Sequence, residues 1–202
     1  SPGDLAQGLA KGVLAGQVVP VLAGSALNGG GIADLLQAVV DYLPSPAQVT
    51  DGADSDGPLA AIVFKTLADP FVGKISYFRV TSGTMKPNQD LWDATRGEAE
   101  RIGQLFVPIG KAQEAVPSLA AGDIGAAPKL AHAVTGDTLT TKAAGVELPG
   151  IEFPPAFYSV SVHPKTQADL DKMSTALARL GEEDPSLHLQ RDPETSELVA
   201  TG

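Results

Sequence analysis

Residues 59–82 read LAAIVFKTLADPFVGKISYFRVTS. Two runs rich in β-branched and aromatic residues, Leu59 to Thr66 and Lys74 to Ser82, stand on either side of the turn signal Asp69-Pro70, so both read as strands. Gln89 to Trp92, Arg101 to Phe106 and Asp123 to Leu130 repeat the pattern, separated by Ser82-Gly83, Lys86-Pro87-Asn88 and Arg96-Gly97. Short strands at such spacing predict a small antiparallel barrel, because closing the sheet on itself removes its exposed edges.

The period changes on both sides of this block. Upstream, Leu5, Leu9 and Val13 recur every four residues in a weakly helical stretch. The apolar run Val18-Val19-Pro20-Val21-Leu22-Ala23 reads as a buried parallel strand. Ile32, Leu35, Leu36, Val39, Val40 and Leu43 draw an apolar stripe along a helix that Pro44-Ser45-Pro46 stops, since proline lacks the amide donor. One strand with two helices cannot cover such faces by itself, so this block is expected to be part of a larger α/β domain. Downstream, Tyr158, Val160 and Val162 alternate with polar residues as a half-exposed strand. Thr166 and Asp169 then open a helix with the stripe Leu170, Met173, Leu177 and Leu180, ending at Gly181. Leu187 to Gln190 and Leu198 to Thr201 read as two more strands around Asp192-Pro193. The order β-α-β-β is the first part of a ferredoxin-like unit, whose full pattern adds a helix and a strand. A sheet with one helix leaves apolar surface, for which mobility or self-association is expected.

Composition narrows the function. The chain has 202 residues, 43% hydrophobic and 19% charged, with a net charge of −10. It holds no cysteine and three histidines without paired spacing, which excludes disulfides and thiolate metal sites. No apolar run approaches the ~20 residues that a bilayer span needs. Charge is uneven: Gly57 to Leu130 carries 8 basic against 7 acidic residues, while both flanks are acidic. Non-specific binding to DNA or another polyanion is therefore disfavoured, and any RNA contact must be local and shape-driven.

Gly24-Ser25-Ala26-Leu27-Asn28-Gly29-Gly30 has the glycine spacing of a phosphate loop between a strand and a helix, but Gly30-Gly31 stands where the lysine and hydroxyl would follow. Ser25 lacks the Gly-x-Ser-x-Gly setting that would expose a nucleophile for His132 or His163. Asp54-Ser55-Asp56-Gly57 matches a GTPase switch pattern only by chance, in a linker after a helix. Glu182-Glu183-Asp184 reads as a solvated helix end, poorly matched to the helix dipole. Lys65, Lys74, Arg79, Lys86, Arg96, Arg101 and Lys111 could meet RNA phosphates or form a solvated barrel surface.

Taken together, several segments resemble elongation factor G. They are Thr66-Leu67-Ala68-Asp69-Pro70-Phe71-Val72-Gly73-Lys74, Arg79-Val80-Thr81-Ser82-Gly83-Thr84, Ala121-Gly122-Asp123-Ile124-Gly125, Thr135-Gly136-Asp137-Thr138-Leu139 and Pro164-Lys165-Thr166-Gln167-Ala168-Asp169, in that order. Ala176-Leu177-Ala178-Arg179-Leu180 and Glu182-Glu183-Asp184-Pro185 look like a helix end of that family's third domain. The resemblance implies a multidomain, mainly β chain. Residues 1–45 would be the end of a GTP-binding domain, a small α/β remnant; 46–57 a linker; 58–146 a translation-factor-type antiparallel β-barrel, the second domain; 147–155 a connector; and 156–202 an incomplete ferredoxin-like βαββ segment of the third. On this resemblance Gly24, Ser25, Ala26 and Leu27 correspond to the motif beside the guanine base. GTP or GDP would then bind the full-length protein, with none held tightly by this stretch, which lacks the phosphate loop, switches and Asn-Lys-x-Asp motif. The implied setting is cytoplasmic, without a membrane, on ribosomal small-subunit RNA and proteins. The full-length protein would be a GTPase, and this stretch a docking and coupling piece without catalysis. Phe106-Val107-Pro108-Ile109-Gly110-Lys111-Ala112-Gln113-Glu114 departs from the housekeeping factor's Met-His-Ala-Asn-type stretch and points to a paralogue. A ribosome-protection protein, or a barrel that binds a protein partner without GTPase chemistry, stays open.

Overall fold

The computed structural model describes residues 2–49, 54–69, 72–110 and 112–202. Ser1, the middle of the linker, Pro70 of the first turn signal, Phe71 after it, and Lys111 of the basic group lie outside the described residues. The chain divides into two units, Ser1–Ala53 and Asp54–Gly202.

In the first unit the two expected helices form: α1 (Pro2–Leu14) and α2 (Ile32–Tyr42), followed by the single turn α3 (Pro46–Val49). The run Val18 to Ala23 has no regular secondary structure and joins no ladder, which corrects the strand reading. Val19 and Val21 are 81% and 92% exposed. A parallel strand exists only against hydrogen-bonding neighbours, and the described residues of this unit offer the isolated bridge Ser25↔Gly30 and no further ladder. For the same reason the stripe on α2 stays open: Ala38 is its one buried residue, while Leu36 and Val40 are largely exposed.

The second unit begins with the barrel. Its strands are β1 (Ala60–Asp69), β2 (Gly73–Ser82), β3 (Thr84–Met85), β4 (Asp90–Asp93), β5 (Glu98–Arg101), β6 (Phe106–Ile109), β7 (Ala112–Ala115), β8 (Leu119–Ala120), β9 (Ile124–Pro128) and β10 (Thr138–Thr140). Eight run antiparallel in the order β5-β4-β10-β1-β2-β9-β6-β7, and β3 pairs with β8 as a separate ribbon. Register shifts near Ala60 and Val63 mark bulges in β1, which sharpen the local twist. Val63, Phe78, Val80, Met85, Ile102, Leu105 and Leu139 are wholly buried in one core, and each such side chain contributes about 1.5–3 kcal/mol.

Arg101 to Phe106 is not a single strand. β5 sits at one end of the sheet order and β6 near the other, so the intervening residues must cross between them, with Ile102 and Leu105 filling the core on the way.

The βαββ segment follows as expected: β11 (Ser159–Val162), a 3-10 turn at Gln167–Asp169, α4 (Leu170–Glu183), β12 (His188–Arg191) and β13 (Leu198–Thr201), with sheet order β11-β13-β12. Two details differ. α4 runs through Gly181, because an interior glycine costs a helix only about 1 kcal/mol, and ends just before Pro185. Thr166 donates its hydroxyl to the Asp169 carboxylate at 2.6 Å and makes no side-chain cap to a backbone amide. No residue of α4 is buried.

Candidate functional site

The loop carrying Gly24 to Leu27 closes on itself before α2. Ser25 donates its amide to the Gly30 carbonyl at 2.8 Å, and its hydroxyl accepts from the Asn28 amide at 3.4 Å. Glycine is required at the closure: Gly31 has φ of 75°, and a Cβ there would lie 2.6 Å from the Ala23 carbonyl oxygen. Gly24, Ala26 and Leu27 are exposed, Leu27 at 95%, while Ser25 is half-buried. The structure thus presents the four residues on one short turn at the start of a helix.

Most polar residues singled out in the sequence serve the fold. Asp54 accepts, through its carbonyl, the amides of Gly57 and Gly83, so the Asp-x-x-Gly match is a bend against the barrel. Glu183 is engaged rather than merely solvated, accepting the Ala68 amide at 2.7 Å. Asp184 accepts from the hydroxyl and amide of Ser186, which hold its carboxyl below the usual range. His163 Nε2 lies 2.8 Å from Ser161 Oγ and 3.5 Å from Glu197. Both partners meet one ring nitrogen on an open sheet, unlike a relay in which the acid orients the other nitrogen.

The basic group is only partly available. Arg96 pairs through Nε with Asp137 at 2.5 Å, and Arg101 with Asp90 at 3.2 Å. Burial lowers the Lys74 ammonium from its ordinary pKa. Lys65 and Lys86 are exposed, and Arg79 is half-buried. Lys129, φ 60°, and Lys142, whose ammonium stands 4.4 Å from the Trp92 ring centre, add to the barrel surface.

Two carboxylate arrangements carry no signal in the sequence. Glu100, almost completely buried on β5, accepts the amides of Ala131, His132 and Ala133. Asp93 on β4 is fully buried; its Oδ1 accepts the Arg96 amide at 3.0 Å, and Oδ2 has no donor among the described residues. Burial and the neighbouring Asp137 carboxylate raise its pKa to about 6. A proton on Asp93 can bridge to Asp137, whose own Oδ2 accepts from Arg96 and from the Val134 amide.

Since folding raises the Asp93 pKa above 3.8, the native state holds the proton more tightly, and stability falls as pH rises from about 4 to 6. Asp93→Asn supplies a permanent donor toward Asp137. It is expected to stabilise the barrel at pH 7–8 by about 1–3 kcal/mol, with no gain below about pH 4, at 1.36 kcal/mol per unit. Urea melts at pH 3.5 and 7.5 check this; a variant less stable than wild type at pH 7.5 would refute it.

Known proteins share this arrangement of barrel and βαββ sheet. Residues 58–142 match the family model for elongation factor G domain 2, and residues 153–202 that for elongation factor G domain III. A crystal structure of a protein from Thermus thermophilus superposes with a TM-score of 0.81 at 32% identity, covering 100% of this chain and 30% of that one. The barrel and the βαββ sheet thus stand, in order, where two consecutive domains of one family stand, and the chain belongs to the elongation factor G family.

Proposed function

We propose that the chain is a docking and coupling stretch of a GTP-driven factor that acts on the cytoplasmic ribosome during translocation or a related step. Residues 1–45 are the end of the GTP-binding domain, joined by the linker 46–57 to the barrel at 58–146. That barrel rests on small-subunit RNA, and the segment at 156–202, after the connector 147–155, relays the nucleotide state. Gly24, Ser25, Ala26 and Leu27 lie beside the guanine base of GTP or GDP when the whole protein binds it. Hydrolysis belongs to parts of the protein other than this stretch.

The observation that carries this reading is the match of the barrel and of the βαββ segment, in order, to two domains of one family, with a solved relative alignable over the whole chain. Exposed cations such as Lys65 and Lys86 leave the barrel able to meet phosphates locally, while the net charge of −10 argues against indiscriminate binding to polyanions. The hairpin β6–β7, formed by the stretch from Phe106 that departs from the housekeeping pattern, favours a specialised paralogue.

Ribosome pelleting with the full-length protein, with and without a non-hydrolysable GTP analogue, tests the reading, with this chain alone as the control. Binding is expected only for the full-length protein with the analogue. Equal absence of binding in both nucleotide states would sink the ribosomal assignment.

A further inference from the structure

The distal half of β1 is a sheet edge. β10 pairs with β1 at Ala60 to Ile62. The residues just before β10 extend that cover to Val63, whose amide donates to the Asp137 carbonyl and whose carbonyl accepts from the Gly136 amide. Beyond Val63 no strand among the described residues pairs with this side of β1. An unpaired edge presents amides that must find acceptors, and natural sheets cover such edges with a helix or loop. Here the cover is the C-terminal turn of α4, whose Glu183 carboxylate accepts the Ala68 amide at 2.7 Å across a separation of 115 residues. Next to it, Glu182 acts electrostatically on Lys74, the residue that pairs with Ala68 across the β1–β2 ladder. Beside this contact lies a cleft of about 460 Å³ lined by residues including Leu67, Ile75, Tyr77, Pro108 and Glu183, so the helix end does not fill the space against the barrel.

Charge placement gives the contact its meaning. Carboxylates in the last turn of a helix oppose its dipole, at a cost of some tenths of a kcal/mol each. The position is therefore poor for the helix and is offset by what Glu183 holds. We infer that the acidic C-terminal turn of α4 is a latch that fixes the βαββ domain on the free edge of β1, and that removing the Glu183 carboxylate releases this domain to move on the barrel. The bond from the Ala68 amide to Glu183 is charge-assisted and lies at an exposed place, so a competing cation or high salt weakens the latch.

The test uses the absence of cysteine in the chain. Spin labels on Ser118→Cys in the barrel and Ala178→Cys in α4, both exposed positions, report the distance between the two domains. Amide exchange at Ala68 reports the bond itself. With Glu183 present, one narrow distance distribution is expected. In Glu183→Ala the distribution broadens, and Ala68 exchanges roughly 10-fold faster or more, as loss of a hydrogen bond to a charged group implies. Trp92 fluorescence, unchanged by the substitution, shows that the barrel stays folded. An unchanged distance distribution would overturn the latch whether or not Ala68 exchange quickens, because the bond would then be local decoration. A broadened distribution in Glu183→Ala together with an unchanged one in Glu194→Ala, an exposed acid of the same domain, supports it.

Discussion

Glu100→Ala is expected to lower the stability of the barrel by about 3–4 kcal/mol, because a carboxylate bonded to backbone amides makes hydrogen bonds of the stronger, charged kind. The carboxylate is 4% exposed and receives three consecutive amides, those of Ala131, His132 and Ala133. It joins β5 to the segment between β9 and β10, which has no ladder of its own there. Without it, water can reach the amides of the exposed residues Ala131 and His132, but Ala133 is wholly buried and its donor is left stranded. At roughly 2–4 °C per kcal/mol for a unit of this size, Tm should fall by about 10 °C. Glu100→Gln retains an acceptor but turns an amide group toward donors, so about half of that loss is expected. Urea unfolding followed by the single tryptophan, Trp92, measures both. A loss under about 1 kcal/mol in Glu100→Ala would show that the three amides find other acceptors at little cost.

How much of this is legible in the sequence depends on the range of the interaction. β1 and β2 follow from local composition, since ten-residue strands rich in β-branched and aromatic side chains state their period without help. α2 and α4 follow from their stripes in the same way. β3, β7, β8 and β10 have two to four residues each, too few to carry a period, and exist because longer strands offer them partners. Val18 to Ala23 shows the converse, a good local strand signal without a ladder to join. Glu100 reads as a surface residue in an alternating Glu98-Ala99-Glu100-Arg101 run, and its partners lie over thirty residues away. Asp137 stands out in the sequence only as part of a family-like motif, and Gly83 both in such a motif and as a turn signal with Ser82. Their structural duties, holding Arg96 and closing the end of β2, emerge once the sheet is assembled. For the loop at Gly24 to Leu27, the sequence supplies the small residues and the structure the tight closure at Gly31; nucleotide contact remains a proposal.

Gly83→Ala should cost about 3 kcal/mol or more, from left-handed strain of roughly 1–2 kcal/mol and a collision with backbone. Gly83 has φ of 73°, and a Cβ there would lie 2.6 Å from Leu59 Cα and 2.8 Å from Leu59 N. Those atoms cannot swing aside as a side-chain tip could. They immediately precede β1, whose first residues are fixed by β2 on one side and β10 on the other. The Gly83 amide also donates to the Asp54 carbonyl at 2.8 Å, so any retreat of the turn loses that bond. Gly97 isolates the two contributions. Its φ of 71° is nearly the same, yet nothing lies within 4 Å of its Cβ position. Gly97→Ala should therefore show the strain alone, about 1–2 kcal/mol, leaving a difference between the variants of about 2 kcal/mol for the collision. Equal losses in the two would mean that strand β1 shifts freely at Leu59. In that case the close approach at Gly83 would be a consequence of the turn rather than a constraint on the residue that occupies it.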